Sequence, residues 1–147
     1  MAFLGTLDIV GSALTAERYR SDIALQNMAN YNTTVTPSGD PYRRRQVVFQ
    51  ERAMSFGDAL SAAGRRYGGD TAGGVQVSQV VESQRDFRLV YDPTHPQADA
   101  DGYVRYSNVD TTEEMVDLMA ASNAYDLNLT ALGVVKAMIA RTLELGK

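Results

Sequence analysis

The sequence predicts an α+β fold in which long N- and C-terminal α-helices pack together in a coiled-coil-like manner, with a small β-rich middle domain. Apolar stripes at helical spacing occupy both ends of the 147-residue chain, and a stretch rich in β-branched and aromatic residues lies between them. We expect an N-terminal helix in residues 1–31, a linker and the β-rich middle domain in 32–110, and a C-terminal helix in 111–147.

The first helix is indicated by positions that alternate in steps of three and four, five of the eight being strongly apolar. These positions are Leu4, Leu7, Gly11, Leu14, Arg18, Ser21, Leu25 and Met28. Gly11, Arg18 and Ser21 weaken the middle of the stripe. Because an isolated helix of this kind is only marginally stable in water, we expect one or both chain ends to be disordered in the free monomer and to fold on assembly.

The last helix carries a stronger stripe, in which seven of nine positions are apolar. Thr111 and Glu114 fit a T-x-x-E capping box that predicts the helix start, and Gly146 fits its end. Apolar residues outside the stripe, such as Val116 and Leu127, predict neighbours on more than one side of this helix. The stripe consists of Met115, Leu118, Ser122, Tyr125, Leu129, Leu132, Lys136, Ile139 and Leu143.

The middle of the chain has the composition of β-strands. The segments QVVFQE and VQVSQVVESQRDFRLVY are rich in β-branched and aromatic residues. A turn-rich linker at 32–41 precedes them, and a flexible glycine-rich loop is expected at about 52–74. Because this middle is too small to cover both helices, we expect the helices to pack on each other and their remaining apolar surface to pack on other subunits.

Composition argues against several classes of function. A net charge of −4 is unfavourable for general nucleic-acid binding, and the absence of cysteine excludes disulfides, thiolate metal sites and cysteine nucleophiles. The apolar start has no preceding Lys or Arg and is interrupted by Asp8, so a cleaved signal peptide is not expected. No apolar run approaches the length of a membrane-spanning helix, so an integral membrane protein is not expected either.

The stretch YDPTHPQADADGYVRYSNVD contains part of a calcium-loop pattern. Gln97, Asp99, Asp101 and Gly102 occupy the first, third, fifth and sixth loop positions, but Asn108 stands where the bidentate glutamate is needed. The prolines upstream leave no room for the entering helix. We favour a turn, and a calcium-binding module at Asp99 and Asp101 is the alternative from a different class of function.

The remaining chemically interesting residues do not form a catalytic pattern. His95 is the only histidine, so a structural or exposed role is favoured. The basic run Arg43–Arg45 is expected to be a solvated strand edge or a patch that pairs with acidic neighbours. Glu113, Glu114 and Asp117 complement the dipole of the last helix and need no catalytic role. We therefore expect no enzymatic activity, no metal site and no cofactor.

Most of the chain resembles a known family, with the exception of residues around 52–74. Three segments carry the resemblance. The segment NMANYNTTVTPSGDPYRRRQVVF is similar to the N-terminal signature of bacterial flagellar rod and hook proteins. The stretch YDPTHPQADADGYVRYSNVD and the predicted helix EEMVDLMAASNAYDLNLTAL are similar to sequence segments of the proximal-rod proteins of this family. The signature core falls on Asn27, Ala29, Asn30, Thr33 and Thr34.

The resemblance implies a structural subunit of the flagellar basal-body proximal rod that transmits torque from the motor to the hook and filament. Another flagellar axial subunit, of the distal rod or hook, is the alternative within the family. The resemblance also implies export by the flagellar type III apparatus without a cleaved signal peptide, and assembly in the periplasm. The implied partners are the other rod proteins and the adaptor at the rod base, with self-assembly into a helical rod.

We predict that subunits contact one another through the two terminal stripes. The resemblance implies that the two terminal helices form the inner layer of the assembled rod. The turn at 27–34 is expected to fix the direction in which the chain leaves this layer after the first helix. The predicted interface residues are Leu4, Leu7, Leu14, Leu25, Asn27, Met28, Asn30, Met115, Leu118, Tyr125, Leu129, Leu132, Ile139 and Leu143.

Overall fold

The computed structural model describes residues 2–53, 57, 60 and 73–145, with side chains from residue 5 to residue 144. Most of the glycine-rich loop expected at 52–74, and the side chain of Leu4, therefore lie outside the described residues. The elements in chain order are α1 (Ala2–Ala29), β1 (Arg45–Glu51), β2 (Val75–Glu82), β3 (Arg88–Tyr91), β4 (Tyr103–Tyr106) and α2 (Thr111–Leu145).

Two long terminal helices with small antiparallel sheets between them confirm the predicted fold class. α1 has 28 residues and α2 has 35. The chain divides into two compact units, and each contains part of both helices. The first unit comprises Met1–Tyr19, Phe49–Ser78 and Ala121–Lys147, and the second comprises Arg20–Val48 and Gln79–Ala120. No helix in the described part of the chain is long and apolar enough to cross a membrane.

The strands form two separate two-stranded sheets, β1 with β2 and β3 with β4. β1 and β2 confirm the predicted strands, and β3 ends the second predicted segment. In the antiparallel β3–β4 pair, Val90 lies opposite Val104 and Tyr91 opposite Tyr103. The two tyrosine rings meet edge to face at a centroid distance of 5.3 Å, which is a favourable aromatic geometry. β4 was not predicted, because its four residues lie in a stretch dominated by turn residues.

Residues 92–102, which contain the aspartates of the partial calcium-loop pattern, form the turn between β3 and β4. The Asp99 carboxylate oxygen Oδ1 accepts hydrogen bonds from the backbone N–H of Asp101 at 3.1 Å and of Tyr103 at 2.9 Å. His95 Nδ1 accepts a hydrogen bond from the Gln97 N–H at 3.2 Å. These bonds confirm the turn interpretation and give His95 a structural role. Across residues 5–53 and 73–144, no group of three or more metal-ligating side chains is arranged to hold an ion.

The start of β2 lies against α1 in the first unit. The Ser12 hydroxyl accepts a hydrogen bond from the Val75 N–H at 3.0 Å and donates one to the Ile9 carbonyl at 2.7 Å. Gly74, which precedes Val75, has a φ angle of +144°, and a Cβ built there would lie 2.7 Å from Ser12 Oγ. The position therefore requires glycine both for its backbone angle and for the space beside it.

Replacing Gly74 with alanine is expected to lower the free energy of unfolding by about 1–3 kcal/mol, because the added methyl group collides with Ser12 at a strained φ angle. Urea unfolding followed by circular dichroism measures the loss. The control is Gly11→Ala in α1, next to Ser12, where an added Cβ would meet nothing within 4 Å. That change should stabilise the helix by up to about 1 kcal/mol. Equal effects of the two substitutions would contradict the role assigned to Gly74.

Candidate functional site

Asn27, near the end of α1, is the centre of a buried polar network in the second unit. Its side-chain Nδ2 donates to the Arg45 carbonyl and to Glu114 Oε2, both at 2.8 Å. Its Oδ1 accepts from the Arg45 N–H at 3.0 Å and from the Tyr42 hydroxyl at 2.9 Å. A side-chain amide has two N–H donors and one oxygen with two lone pairs, so all of its capacity is used. The side chain is 1% exposed.

Arg44 and Glu114 form a buried ion pair beside this amide. Arg44 Nε donates to Glu114 Oε1, and both side chains are almost fully buried. The same guanidinium lies 3.1 Å from Asp117 and 3.5 Å from Glu113, so it meets three carboxylates from the first two turns of α2. Buried charges persist only when they are paired and hydrogen-bonded, as they are here. We call Asn27, Tyr42, Arg44 and Glu114 the buried clamp.

Two further arginines lie beside the buried clamp, the half-buried Arg20 and the exposed Arg85. Arg20 of α1 lies 3.2 Å from Asp117, and Arg85 lies 2.7 Å from Glu113. Water and salt screen such pairs, so each contributes at most about 1 kcal/mol. The stabilisation of this site therefore resides mainly in its buried members. The expectation that part of the arginine run pairs with acidic neighbours is confirmed for Arg44.

The start of α2 is capped differently from the prediction. α2 begins at Thr111, as expected, but the capping box is wrong, because the Glu114 carboxylate turns inward to Arg44 and Asn27. Asp110 is the cap: its Oδ1 accepts a hydrogen bond from the Thr112 N–H at 2.8 Å. A buried cation attracts a carboxylate more strongly than an exposed backbone N–H does, so the clamp takes the glutamate.

The bond from the Thr112 N–H lowers the pKa of Asp110 below its usual value of 3.8. A lowered pKa in the folded state stabilises the fold above the unfolded-state pKa, and this stabilisation is lost as the pH falls through the lowered value. Asp110→Ala should therefore be less stable than the parent at neutral pH, and the difference should shrink at pH values well below 3.8. Urea unfolding at several pH values measures this. A difference that does not depend on pH would exclude a charged cap.

Tyr42 is a member of the clamp, and Asn108 lies beside it. Burial raises the pKa of Tyr42, so its hydroxyl stays protonated and donates to Asn27 well above neutral pH. Asn108 Oδ1 accepts a hydrogen bond from the Arg44 N–H at 2.7 Å, and its Nδ2 donates to the Arg85 carbonyl at 2.9 Å. In the sequence alone, Asn108 stands out only because it occupies the position where a calcium loop needs glutamate. Its contacts instead join the residue before β1 to the loop between β2 and β3.

One side of α2, which we call the inner seam, consists of buried and half-buried side chains that are mostly apolar. Eight buried or half-buried positions recur in steps of four and three. They are Glu114, Leu118, Ala121, Tyr125, Asn128, Leu132, Val135 and Ile139. The predicted stripe shares Leu118, Tyr125, Leu132 and Ile139 with this seam. Its other apolar members, Met115, Leu129 and Leu143, are exposed and remain free to contact other subunits.

A second apolar face lies on the opposite side of α2. Leu127 is 71% exposed, and the other large members are more than half exposed. Successive residues of a helix are about 100° apart, so these side chains all lie within roughly 60° of one line along the helix surface. Between residues 116 and 138, no charged residue lies within roughly 60° of this line. A helix face that meets water normally carries charged residues. We call Val116, Met119, Leu127, Val134 and Met138 the outer face of α2.

The predicted interface residues in α1 and directly after it differ in how far they are exposed to solvent. Leu7, Leu14, Met28 and Asn30 are half-buried, and Leu25 is exposed. Asn30 Nδ2 donates to the Gln26 carbonyl at 2.9 Å, which secures the end of the helix. Asn27, also predicted as an interface residue, uses its whole amide within its own chain. The contact of all these residues with other subunits stays a prediction.

The described residues form a buried polar network and an exposed, uncharged helix face, which together are typical of a structural protein built on long terminal helices. A family model for the C-terminal part of flagellar basal body rod FlgEFG proteins matches residues 100–145. Over the full length of both chains, the sequence is 45% identical to the flagellar basal-body rod protein FlgC of Escherichia coli, 44% to that of Salmonella typhimurium and 42% to that of Bacillus subtilis. The chain therefore belongs to the FlgC family of flagellar basal-body rod proteins, which are structural and not enzymatic.

Proposed function

We propose that this chain is a structural subunit of the proximal rod of the flagellar basal body and that it carries torque from the motor towards the hook and filament. Full-length similarity to FlgC proteins of several bacteria supports the assignment to the rod. The outer face of α2 carries the mechanical part of the proposal. It offers large apolar side chains in a row without charge, which is the surface expected of a helix between neighbours.

Rod assembly follows from the way such a face is used. A surface of one subunit that meets a different surface of the next forms a heterologous contact, and contacts of this kind that do not close into a ring build a helical tube. The inner seam of α2 serves the chain itself, whereas the outer face and the exposed residues Met115, Leu129 and Leu143 serve its neighbours. Closely packed helices resist shear because protein interiors deform little under load.

The buried clamp has a mechanical role within the second unit. Arg44 and Asn27 bind the start of α2 through Glu114, and Asn27 is itself part of α1. A load on α2 is therefore passed to the end of α1 through short, buried bonds. Breaking a buried pair leaves a charge without its partner, so slip at this point is energetically unfavourable.

Partners and location follow from the same assignment. The chain assembles with the other rod proteins and with the adaptor at the rod base, and it reaches the periplasm through the flagellar type III apparatus without a cleaved signal peptide. The absence of cysteine from the sequence fits passage into an oxidising compartment. Helices with exposed apolar faces fit a subunit that completes its packing only in the assembly.

The test is complementation in a flagellated bacterium that lacks its own FlgC. We expect this chain to restore swimming in soft agar and to appear in purified basal bodies, where density for the rod can be traced with the sequence. Location in the distal rod or the hook would favour the alternative axial subunit. Full swimming without any FlgC-type protein, or absence of the chain from basal bodies, would overturn the proposal.

A further inference from the structure

The strand β3 has an open edge and three consecutive exposed residues that are apolar or aromatic. Its sheet has two strands, so within the described residues one edge of β3 pairs with β4 and the other edge pairs with no strand. Leu89 is 62% exposed, Val90 36% and Tyr91 65%. An open strand edge attracts strands of other chains, and proteins usually protect it with charge, proline or a cover. Residues 89–91 contain neither charge nor proline.

The open edge of β3 presents backbone groups at Leu89 and Tyr91. In an antiparallel pair, opposite residues alternate between pairs that exchange backbone hydrogen bonds and pairs that do not. The Asp92 N–H donates to the Gly102 carbonyl at 2.9 Å. Counted back from this bonded pair in the observed register, the N–H and C=O groups of Leu89 and Tyr91 point away from β4. Among the described residues, these groups have no backbone partner.

The charges at the two ends of β3 are complementary to those of a second copy of the same strand. The sequence reads Arg88, three uncharged residues and then Asp92. If two copies pair antiparallel about Val90, Arg88 of each copy lies opposite Asp92 of the other. The same register places Leu89 opposite Tyr91 of the second copy, so their outward backbone groups exchange hydrogen bonds. Opposite charges and aromatic–aliphatic pairs on neighbouring strands are both stabilising.

Both charged residues are available for such a contact. The Thr94 hydroxyl donates to the Asp92 carboxylate at 2.7 Å, and this bond lowers the pKa of Asp92, so the group is ionised at neutral pH. Arg88 Nη1 donates to the Tyr31 hydroxyl, and its Nη2 donates to Asn32 Oδ1 at 3.4 Å. A guanidinium has five N–H donors, so Arg88 keeps capacity for a carboxylate of a second chain.

We propose that β3 is a self-association site, at which two free chains pair antiparallel through residues 88–92 and form a four-stranded sheet. Main-chain hydrogen bonds give such strand addition its affinity, and the side chains give its specificity. The contact has a two-fold axis and closes on itself, so it does not continue along a rod. It therefore covers the open edge of chains that are outside the assembly, and it goes beyond the proposed function.

Sedimentation equilibrium of the full-length chain over a range of concentrations tests the proposal. We expect the average mass to rise from that of one chain towards that of two. Leu89→Pro removes the outward N–H, which costs two hydrogen bonds per pair but none to β4, so association should weaken at least about tenfold. Leu89→Val is the matched control, because it keeps the N–H and an apolar strand-forming side chain. A chain that stays monomeric at every concentration, or equal association of both variants, would overturn the proposal.

Charge exchange tests the antiparallel register without a change at Leu89. Arg88→Glu and Asp92→Lys should each weaken association when alone, because like charges then meet at both ends of the pair. An equimolar mixture of the two variants should associate again, because every opposed pair then has opposite charges. A mixture that associates no better than either variant alone would contradict the proposed pairing.

A change on α2 separates this contact from the outer face. The double substitution Leu127→Asp and Val134→Asp lies outside β3 and should leave the association of free chains unchanged. If it abolished the association, the chains would meet through α2 and the proposal would be wrong. None of these measurements concerns rod incorporation, which the complementation experiment measures separately.

Discussion

Replacing Glu114 with alanine is expected to lower the free energy of unfolding by about 3–5 kcal/mol, the loss typical of breaking a buried ion pair. The substitution leaves the guanidinium of Arg44 buried with only its more exposed partners, and it removes the acceptor of one Asn27 N–H bond. Urea unfolding at neutral pH, followed by circular dichroism, measures the loss.

The matched control is Glu144→Ala, which removes an exposed carboxylate from the last turns of the same helix. Surface substitutions of this kind usually change stability by less than about 0.5 kcal/mol. If the two variants lost equal amounts of stability, the buried clamp would not be the main stabilising feature of the second unit. Asp117 and Glu113 would then be sufficient partners for Arg44.

Placing aspartate at Leu127 and at Val134 is expected to prevent incorporation into the rod and to abolish swimming. Both residues lie on the outer face of α2 and are more than half exposed in the single chain. The change removes two apolar side chains, each of which contributes about 1.5–3 kcal/mol when it is fully buried, and it would bury unpaired charge. Because neither side chain is buried in the free chain, its circular dichroism spectrum should not change.

Soft-agar swimming and immunoblots of purified basal bodies measure this effect. Asp126→Asn is the matched control, since it changes one charge beside Leu127 but outside the outer face, and it should swim normally. Normal swimming of the double variant would show that the outer face meets water in the assembled rod. The subunit contacts would then have to lie on the exposed residues of the predicted stripe, Met115, Leu129 and Leu143.

The terminal helices could be predicted because their signal is local. Apolar spacing of three and four over many turns depends only on neighbouring residues, and α1 and α2 fall close to the predicted ranges. The orientation of α2 was harder to predict. Its inner seam contains Glu114 and Ala121, whereas the predicted stripe contains Met115 and Ser122. Because the two patterns share every second position, their midlines differ by about 50° around the helix. Both stripes are apolar enough to fit, so only the packed structure distinguishes them.

The clamp could not be predicted, because its members are distant in the sequence. Asn27 and Glu114 are 87 residues apart, and Arg44 and Glu114 are 70. The arginine run is conspicuous in the sequence, but its three members occupy different environments. Arg43 lies over the Phe87 ring at 4.3 Å and Arg45 over the Tyr42 ring at 5.5 Å, while Arg44 is buried with carboxylates. Nothing in three identical side chains indicates which one enters the core.

The geometry of the Asn27 amide also determines how the second unit fails under force. One of its hydrogen bonds runs directly to Glu114 of α2, and two hold the backbone of Arg45, whose neighbour Arg44 binds the same glutamate. A pull that separates α1 from α2 therefore loads both routes to Glu114 at the same time. Bonds loaded in parallel share the force and break together, whereas bonds loaded in series open one after another. We therefore expect this unit to hold its shape up to a sharp yield point under repeated load, and not to deform gradually.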